Sequence, residues 1–257
     1  MMDEFKISKR LSNGDFYIVN LLVGGALFLL IGTIVQVIAF QVFEIRTPGF
    51  VEELMRYYEK GLYDKFTDDM WFSFILPLFL RNFLLAIIFI LLLRKALFWD
   101  LKRFKTDFLS NIAGIIIGMV FILVLTVLAN NIYELIGIED TSANQASIVS
   151  GFKGKYAYLM FASVLIAPFV EEILFRKFIY GLIEEKFKWP WWSSVIISAV
   201  IFAAIHDTSV FFFQYFFTSL VLCLSYSLFK KNIWVPIGIH FLNNSLPLLA
   251  LALGIII

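Results

Sequence analysis

The chain has 257 residues, of which 61% are hydrophobic and 16% charged, with a formal net charge of +1 and a mean hydropathy of +0.87. Soluble domains hold roughly 45–50% apolar and about 25% charged residues, so this composition excludes an ordinary water-soluble globule, and the near-zero charge gives nucleic acid no electrostatic footprint. A single cysteine, Cys223, excludes an internal disulfide or a cysteine-based metal site; lying in an apolar run, it reads as a packing residue.

A helix needs about 20 predominantly apolar residues to span a bilayer. By that measure the chain is all-α, a polytopic transmembrane bundle of about seven to eight spans, with the lipid bilayer as its first partner. The first span covers about Phe16–Phe43. Its apolar run is too long for the roughly 7–15-residue core of a cleavable signal, so the N-terminus is expected to be retained. The loop Glu44–Met70 is long and acidic and is expected to form an amphipathic surface helix. The second span covers about Trp71–Leu93 and the third about Ile112–Ile136. The fourth, about Tyr156–Ile183, contains Pro168, which is expected to kink or break it. A fifth covers about Trp191–His206, a sixth about Val210–Phe229 and a seventh about Ile233–Leu246. Pro247 interrupts that last run, so Leu248–Ile257 is either its tail or a short eighth piece.

Lys and Arg set the orientation. With the N-terminus inside, the cytoplasmic side receives Lys6, Lys9, Arg10, Arg94, Lys95, Lys102, Arg103, Lys105, Lys186, Lys188, Lys230 and Lys231. The opposite side receives only Arg46, Arg56, Lys60, Lys65, Lys153 and Lys155. The Phe-, Ile- and Lys-rich composition suggests a bacterial cell membrane.

Ionisable groups inside spans are the informative residues, because a charge at the bilayer centre costs about 2.5–3.5 kcal/mol on insertion scales. The fourth span carries Glu171, Glu172 and Arg176. The chain's two histidines, His206 and His240, fall in apolar runs, and Asn243 and Asn244 follow the second. At about 100° per residue, Glu172 and Arg176 share a helix face as an i,i+4 ion pair, whereas Glu171 points elsewhere. His240 and Asn244 also share a face. A carboxylate shielded from water is a competent general base near neutral pH, an imidazole can assist it, and imidazole and amide N–H groups can steady a developing oxyanion. These are the parts of a hydrolase. Zn²⁺ held by Glu171, His206 and His240 is a second arrangement of the same groups, although the His-Glu-x-x-His signature is absent; no cofactor is fixed by the sequence. Singly, each residue also has a structural use, as a helix-stabilising ion pair, an interfacial imidazole or an amide that ties helices together. Arg81 lies in the second apolar run with no evident partner and receives no role.

Taken in order, Glu171-Glu172-Ile173-Leu174-Phe175-Arg176, Phe202-Ala203-Ala204-Ile205-His206 and His240-Phe241-Leu242-Asn243-Asn244 resemble the three motifs of the CAAX protease and bacteriocin-processing family, which includes the Ras-converting CAAX endopeptidase. Pro168-Phe169 and Val235-Pro236-Ile237-Gly238-Ile239 resemble its flanks. The likeness covers about residues 156–247. It makes residues 156–257 a catalytic core and residues 1–155 a three-span region without family motifs. It implies intramembrane endoproteolysis of a membrane-presented peptide or protein. Glu171 would activate water with His206 assisting, His240 and Asn244 would form the oxyanion site, and Glu172 and Arg176 would support the framework. Lys177 and Ala203 stand where the family commonly has Gly. A non-catalytic immunity or regulatory protein of the same fold is the alternative; a proton-coupled carrier would show two related halves, which this sequence lacks. Prenylated tails, bacteriocin or signalling-peptide precursors and membrane regulators all fit as substrates. Counted at 1.5 Å per residue from the presumed inner ends, Glu171 lies about 18 Å deep, His206 about 22 Å and His240 about 10 Å. Convergence therefore requires tilt, a kink or a late-starting last span.

Overall fold

The structure, a computed structural model, describes residues 13–138 and 141–252, with side chains from 18 to 250. Among these residues every element is helical. In chain order they are α1 (Asn13–Arg46), α2 (Phe50–Glu59), a short 3₁₀ turn, α3 (Asp68–Thr106), α4 (Phe108–Leu135), α5 (Ala143–Gly151), α6 (Ala157–Glu172), α7 (Trp191–His206), α8 (Phe212–Leu228) and α9 (Trp234–Ala252). Two π-helical segments, Ile173–Tyr180 and Leu182–Lys186, carry α6 onward. Helices at Ile18–Arg46, Asp68–Thr106, Phe108–Leu135 and Ala157–Lys186 are long and apolar enough to cross a membrane, and α7 and α8 are shorter apolar helices. The charged Lys6, Lys9 and Arg10 lie outside the described residues.

Burial is arranged for a lipid solvent. Leu22, Leu29, Ile38, Leu109, Ile117 and Phe121 face outward, whereas Asn82, Asp100, Glu172, Arg176, Ser198 and Ser219 are buried. Lipid solvates an aliphatic side chain as well as a core does, but leaves a polar group without partners.

Element boundaries depart from the sequence expectation in four places. The helix α3 runs on through the basic segment to Thr106 because that stretch keeps one apolar face, with Ala96 and Leu97 buried. The amphipathic α2 occupies the acidic loop as expected, but α5 was not anticipated; Ser142 caps it by accepting from the Gln145 N–H at 3.1 Å. Two helices also run through their prolines: α6 passes Pro168 without a break and α9 passes Pro247 to Ala252. Leu248–Ala252 is thus the tail of the seventh apolar helix, and residues 253–257 lie outside the described residues.

A proline leaves the carbonyl four residues earlier without its helical donor. In α6 that carbonyl is Val164 O, and Asn244 of α9 donates to it from Nδ2 at 3.3 Å. Pro77 in α3 frees Ser73 O, and Gln36 of α1 donates to it from Nε2 at 3.0 Å. Pro77 and Pro168 are each paired with an amide from a neighbouring helix, which restores the missing bond and ties two helices together.

The helix α4 packs on α8 and α9 through reciprocal small-residue contacts. A Cβ on Gly118 would come within 2.4 Å of Ile239, and one on Gly238 within 2.6 Å of Ile115. Each glycine is the hole that the other helix's isoleucine fills.

The depth mismatch is resolved at the basic end of the bundle. Buried Asp100 pairs with Lys177 (2.5 Å) and Arg103, and its carbonyl accepts from Asn232 Nδ2 at 2.9 Å. Lys177 and Asn232 therefore share one level, and the Gly expected at 177 is replaced by a partner for Asp100. From that level Glu171 is six residues away and His240 eight, about 9 and 12 Å at helical rise. The last helix starts late, beside the Asp100 layer, while the π-helical segments continue beyond it. This offset brings Glu171 and His240 together without a break at Pro168.

Candidate active site

Three helices supply the site. Glu171 is the penultimate residue of α6, His206 the last of α7, and His240 lies on α9, two turns from its start. Glu171 Oε2 stands 3.6 Å from His206 Nε2 and 3.8 Å from His240 Nε2. The two acidic neighbours separate as helical geometry requires. Glu172 turns away and pairs through Oε2 with Arg176 Nε at 2.9 Å, both side chains fully buried. The Glu171 side chain keeps 11% of its surface exposed, so of the two carboxylates it is the one that can meet water.

Both imidazoles are oriented from behind. His240 Nδ1 lies 2.8 Å from Glu172 Oε1, and His206 Nδ1 lies 2.7 Å from the Phe202 carbonyl. An acceptor facing each Nδ1 makes that nitrogen the donor, which leaves Nε2 of both rings to face Glu171. The Glu172–Arg176 pair is thereby more than a clamp: its second carboxylate oxygen fixes the tautomer of His240. The Phe-x-x-x-His spacing acquires a physical reason as well. Phe202 contributes its carbonyl to His206 and stacks under the ring with centroids 4.1 Å apart. It also receives the Arg176 guanidinium over its face at 5.1 Å. Arg176 Nη1 has no hydrogen-bond partner, and the aromatic face is the electron-rich surface near it. Arg176 Nη2 donates to Ser219 Oγ at 2.9 Å, which anchors the pair to α8. Ala203 is fully buried on α7.

These groups open on a cavity of about 1260 Å³ lined by Glu171, His206, His240, Asn243, Asn244 and Arg81, among others. Asn244 shares this wall with His240, with one amide hydrogen directed to Val164 O. Its orientation is fixed by that carbonyl, which can only accept. The structure brings Glu171, His206, His240 and Asn244 to one cavity and sets the Glu172–Arg176 pair behind His240. Tyr215 was missed. Its ring stacks on His206 with centroids 5.2 Å apart, and its hydroxyl is held by Ser142 Oγ at 2.9 Å and Asn144 Nδ2 at 3.2 Å. The available signal was a single hydroxyl in the aromatic run Phe211–Phe217. Ser219 left no signal in the sequence.

Glu171, His206 and His240 are the donors a divalent ion would use. Tetrahedral zinc with ligands at about 2.0–2.1 Å sets its donors about 3.3 Å apart. Here the carboxylate–imidazole separations are wider, and among the described residues no group of three His, Cys, Asp or Glu is arranged to hold a metal ion. As placed, the three side chains do not form a metal site.

Residues 153–246 match the family model for the type II CAAX prenyl endopeptidase Rce1-like proteins. YdiL of Bacillus subtilis (strain 168), provisionally named a membrane peptidase, is 30% identical over 113 residues, 44% of this chain and 45% of that protein. MroQ of Staphylococcus aureus (strain USA300), named a membrane-embedded CAAX protease, is 30% identical over 135 residues, 51% of this chain and 53% of that protein. The aligned part thus spans about half the length of these curated relatives. No solved structure matches the chain significantly. The resemblance carried by the three motifs is borne out over the segment that holds them.

Proposed function

We propose that this protein is an intramembrane endopeptidase that hydrolyses a peptide bond of a membrane-presented peptide or protein with a glutamate-activated water. The observation that carries the proposal is Glu171 Oε2 facing two imidazole Nε2 atoms, at 3.6 and 3.8 Å, beside a cavity large enough for a peptide segment. Water bound between Glu171 and His206 loses a proton to the carboxylate as its oxygen attacks the scissile carbonyl carbon. The carbonyl oxygen becomes the oxyanion, steadied by His240 when it carries a proton on Nε2 and by the second amide hydrogen of Asn244. The proton held at Glu171 or His206 then passes to the leaving nitrogen as the C–N bond breaks, and the base is restored. Glu172 and Arg176 hold His240 in register. No step requires a metal.

All catalytic groups come from residues 156–257, which we assign as the catalytic core; residues 1–155 furnish cavity walls and helix contacts. The bacterial relatives and the Lys/Arg distribution support a cell-membrane location with a cytoplasmic N-terminus, which reporter fusions to successive loops would check. The decisive experiment is a comparison of peptides released in membranes carrying the intact protein and its Glu171→Gln variant. Products that depend on Glu171 are expected; identical peptide profiles would overturn the assignment.

A further inference from the structure

Among the described residues, Arg81 is the one cation lining the cavity that this mechanism leaves unused. It lies within the apolar stretch of α3 and lines the cavity together with Glu171, His206 and His240. Three neighbours seat it. Gly32 of α1 leaves room for its stem, since a Cβ there would stand 3.2 Å from Arg81 Cδ. Phe28 of α1 lies under the guanidinium, 4.3 Å from ring centroid to Cζ. Arg81 Nε donates to Asn82 Oδ1 at 3.3 Å. Asn82 in turn donates from Nδ2 to Ser163 Oγ at 3.0 Å and to Ser163 O at 3.3 Å, which fixes its amide. Both ends of that amide are used, so it cannot flip to release the arginine.

The seat holds the stem and Nε but leaves the terminal fork open. Among the described residues no carboxylate stands within ion-pair distance of Arg81, and nothing accepts a hydrogen bond from its two terminal nitrogens. Arg81 and Glu171 line the same cavity but make no contact with each other. A planar cation held rigidly in apolar surroundings, with two parallel donors unspent, is matched to a carboxylate, which takes both donors at once.

The geometry points to Arg81 as an anion-binding residue that takes a carboxylate of the peptide in the catalytic cavity. It rests on the protease reading for the nature of that occupant. The source is either the peptide's C-terminus or an acidic side chain. Asn82 is tied to Ser163, eight residues before Glu171 on α6, so the Arg81 level lies about 12 Å along the helix from the base. An extended chain covers about 3.3 Å per residue, which sets the carboxylate about three to four residues from the scissile bond.

The test is equilibrium binding to the full chain in lipid nanodiscs, in the Glu171→Gln background so that no bond is cut. Three probes are compared: N-acetyl-Ile-Phe-Leu-Ile with a free carboxylate, the same peptide as its carboxamide, and N-acetyl-Ile-Glu-Leu-Ile carboxamide. A carboxylate-bearing probe is expected to bind about ten-fold tighter than the plain carboxamide. Whichever of the two shows the preference identifies the source. Arg81→Gln should reduce the preference to less than about two-fold while leaving carboxamide binding unchanged. Arg81→Lys, which keeps the charge but loses the fork, should retain part of it; it serves as the deciding variant where Arg81→Gln fails to fold. Equal binding of all three probes, binding of none, or a preference that survives substitution in a folded variant overturns the inference. A carboxylate preference in a protein that cuts no membrane peptide would leave the anion site standing and remove the protease reading. Cleavage that is indifferent to both the carboxylate and Arg81 would do the reverse.

Discussion

At the residue scale, two adjacent carboxylates do different work because one helical step separates their directions. Glu171→Gln keeps the size but removes the proposed base, so turnover should vanish while the protein stays inserted and folded. Near wild-type cleavage of a verified substrate by this variant would sink the assignment. Glu172→Gln should behave otherwise. It removes the charge that pairs with Arg176, whose side chain is fully buried, and leaves a single amide oxygen to accept from both Arg176 and His240. Losing one partner of a buried pair typically costs about 3–5 kcal/mol, so yield, thermal stability and activity should fall together. Unchanged thermal stability in detergent would count against this. Asn244 donates to Val164 O in α6 and, in the proposed mechanism, gives its second amide hydrogen to the oxyanion. Asn244→Ala should lower turnover at least about 100-fold with little effect on substrate affinity, because an oxyanion donor acts mainly in the transition state. It should also destabilise the protein by leaving a carbonyl unpaired. Adding Pro168→Ala returns a helical donor to that carbonyl, so the double variant should regain stability and stay slow. A double variant that regains full rate would show that Asn244 matters only as a helix tie.

At the element scale, the helices are held by features that look like defects in the sequence. Pro77 and Pro168 sit inside helices, yet each freed carbonyl meets an amide from a neighbour. Gln36→Ala is therefore expected to lower stability by about 1–3 kcal/mol, the usual result of leaving a buried polar group unpaired, and Pro77→Ala should cancel the loss. Additive effects in a thermal-unfolding cycle would disprove the pairing. The Gly118–Ile239 contact makes α4 a positioning element for the site, since Ile239 precedes His240. Gly118→Leu should push α9 outward and reduce kcat in a protein that still inserts; an unimpaired rate would mean the helices repack without moving the imidazole.

At the scale of the whole molecule, the bundle is apolar outside and keeps its polar groups within an otherwise apolar interior, which is the stable arrangement when lipid is the solvent. Two layers of buried polar groups set the heights of the helices, the Asp100–Lys177–Asn232 layer at the basic end and the Glu171–His206–His240 layer above it. The first sets the height of the second. Metal content is a property of the whole purified protein. Elemental analysis should find no stoichiometric zinc, and chelators should leave activity intact. Stoichiometric zinc with chelator-sensitive turnover and a mild Asn244→Ala defect would replace the glutamate-base mechanism by a metal one.

Composition and the length of its apolar runs determined the bundle, because a spanning helix needs only a long run of side chains that lipid accepts. The candidate site residues were legible for the same reason. Glu171, His206 and His240 are groups that lipid penalises, and the spacing Glu172–Arg176 told which acid was already paired. Three features were decided only by tertiary structure: the height at which α9 begins, the Glu172 bond that orients His240, and the placement of Tyr215 and Arg81 around the cavity. Each depends on groups brought together from distant parts of the chain, such as Asp100 with Asn232 or Phe28 with Arg81. Hydropathy records what each residue tolerates on its own; it carries no information about which helix lies next to it or at what level.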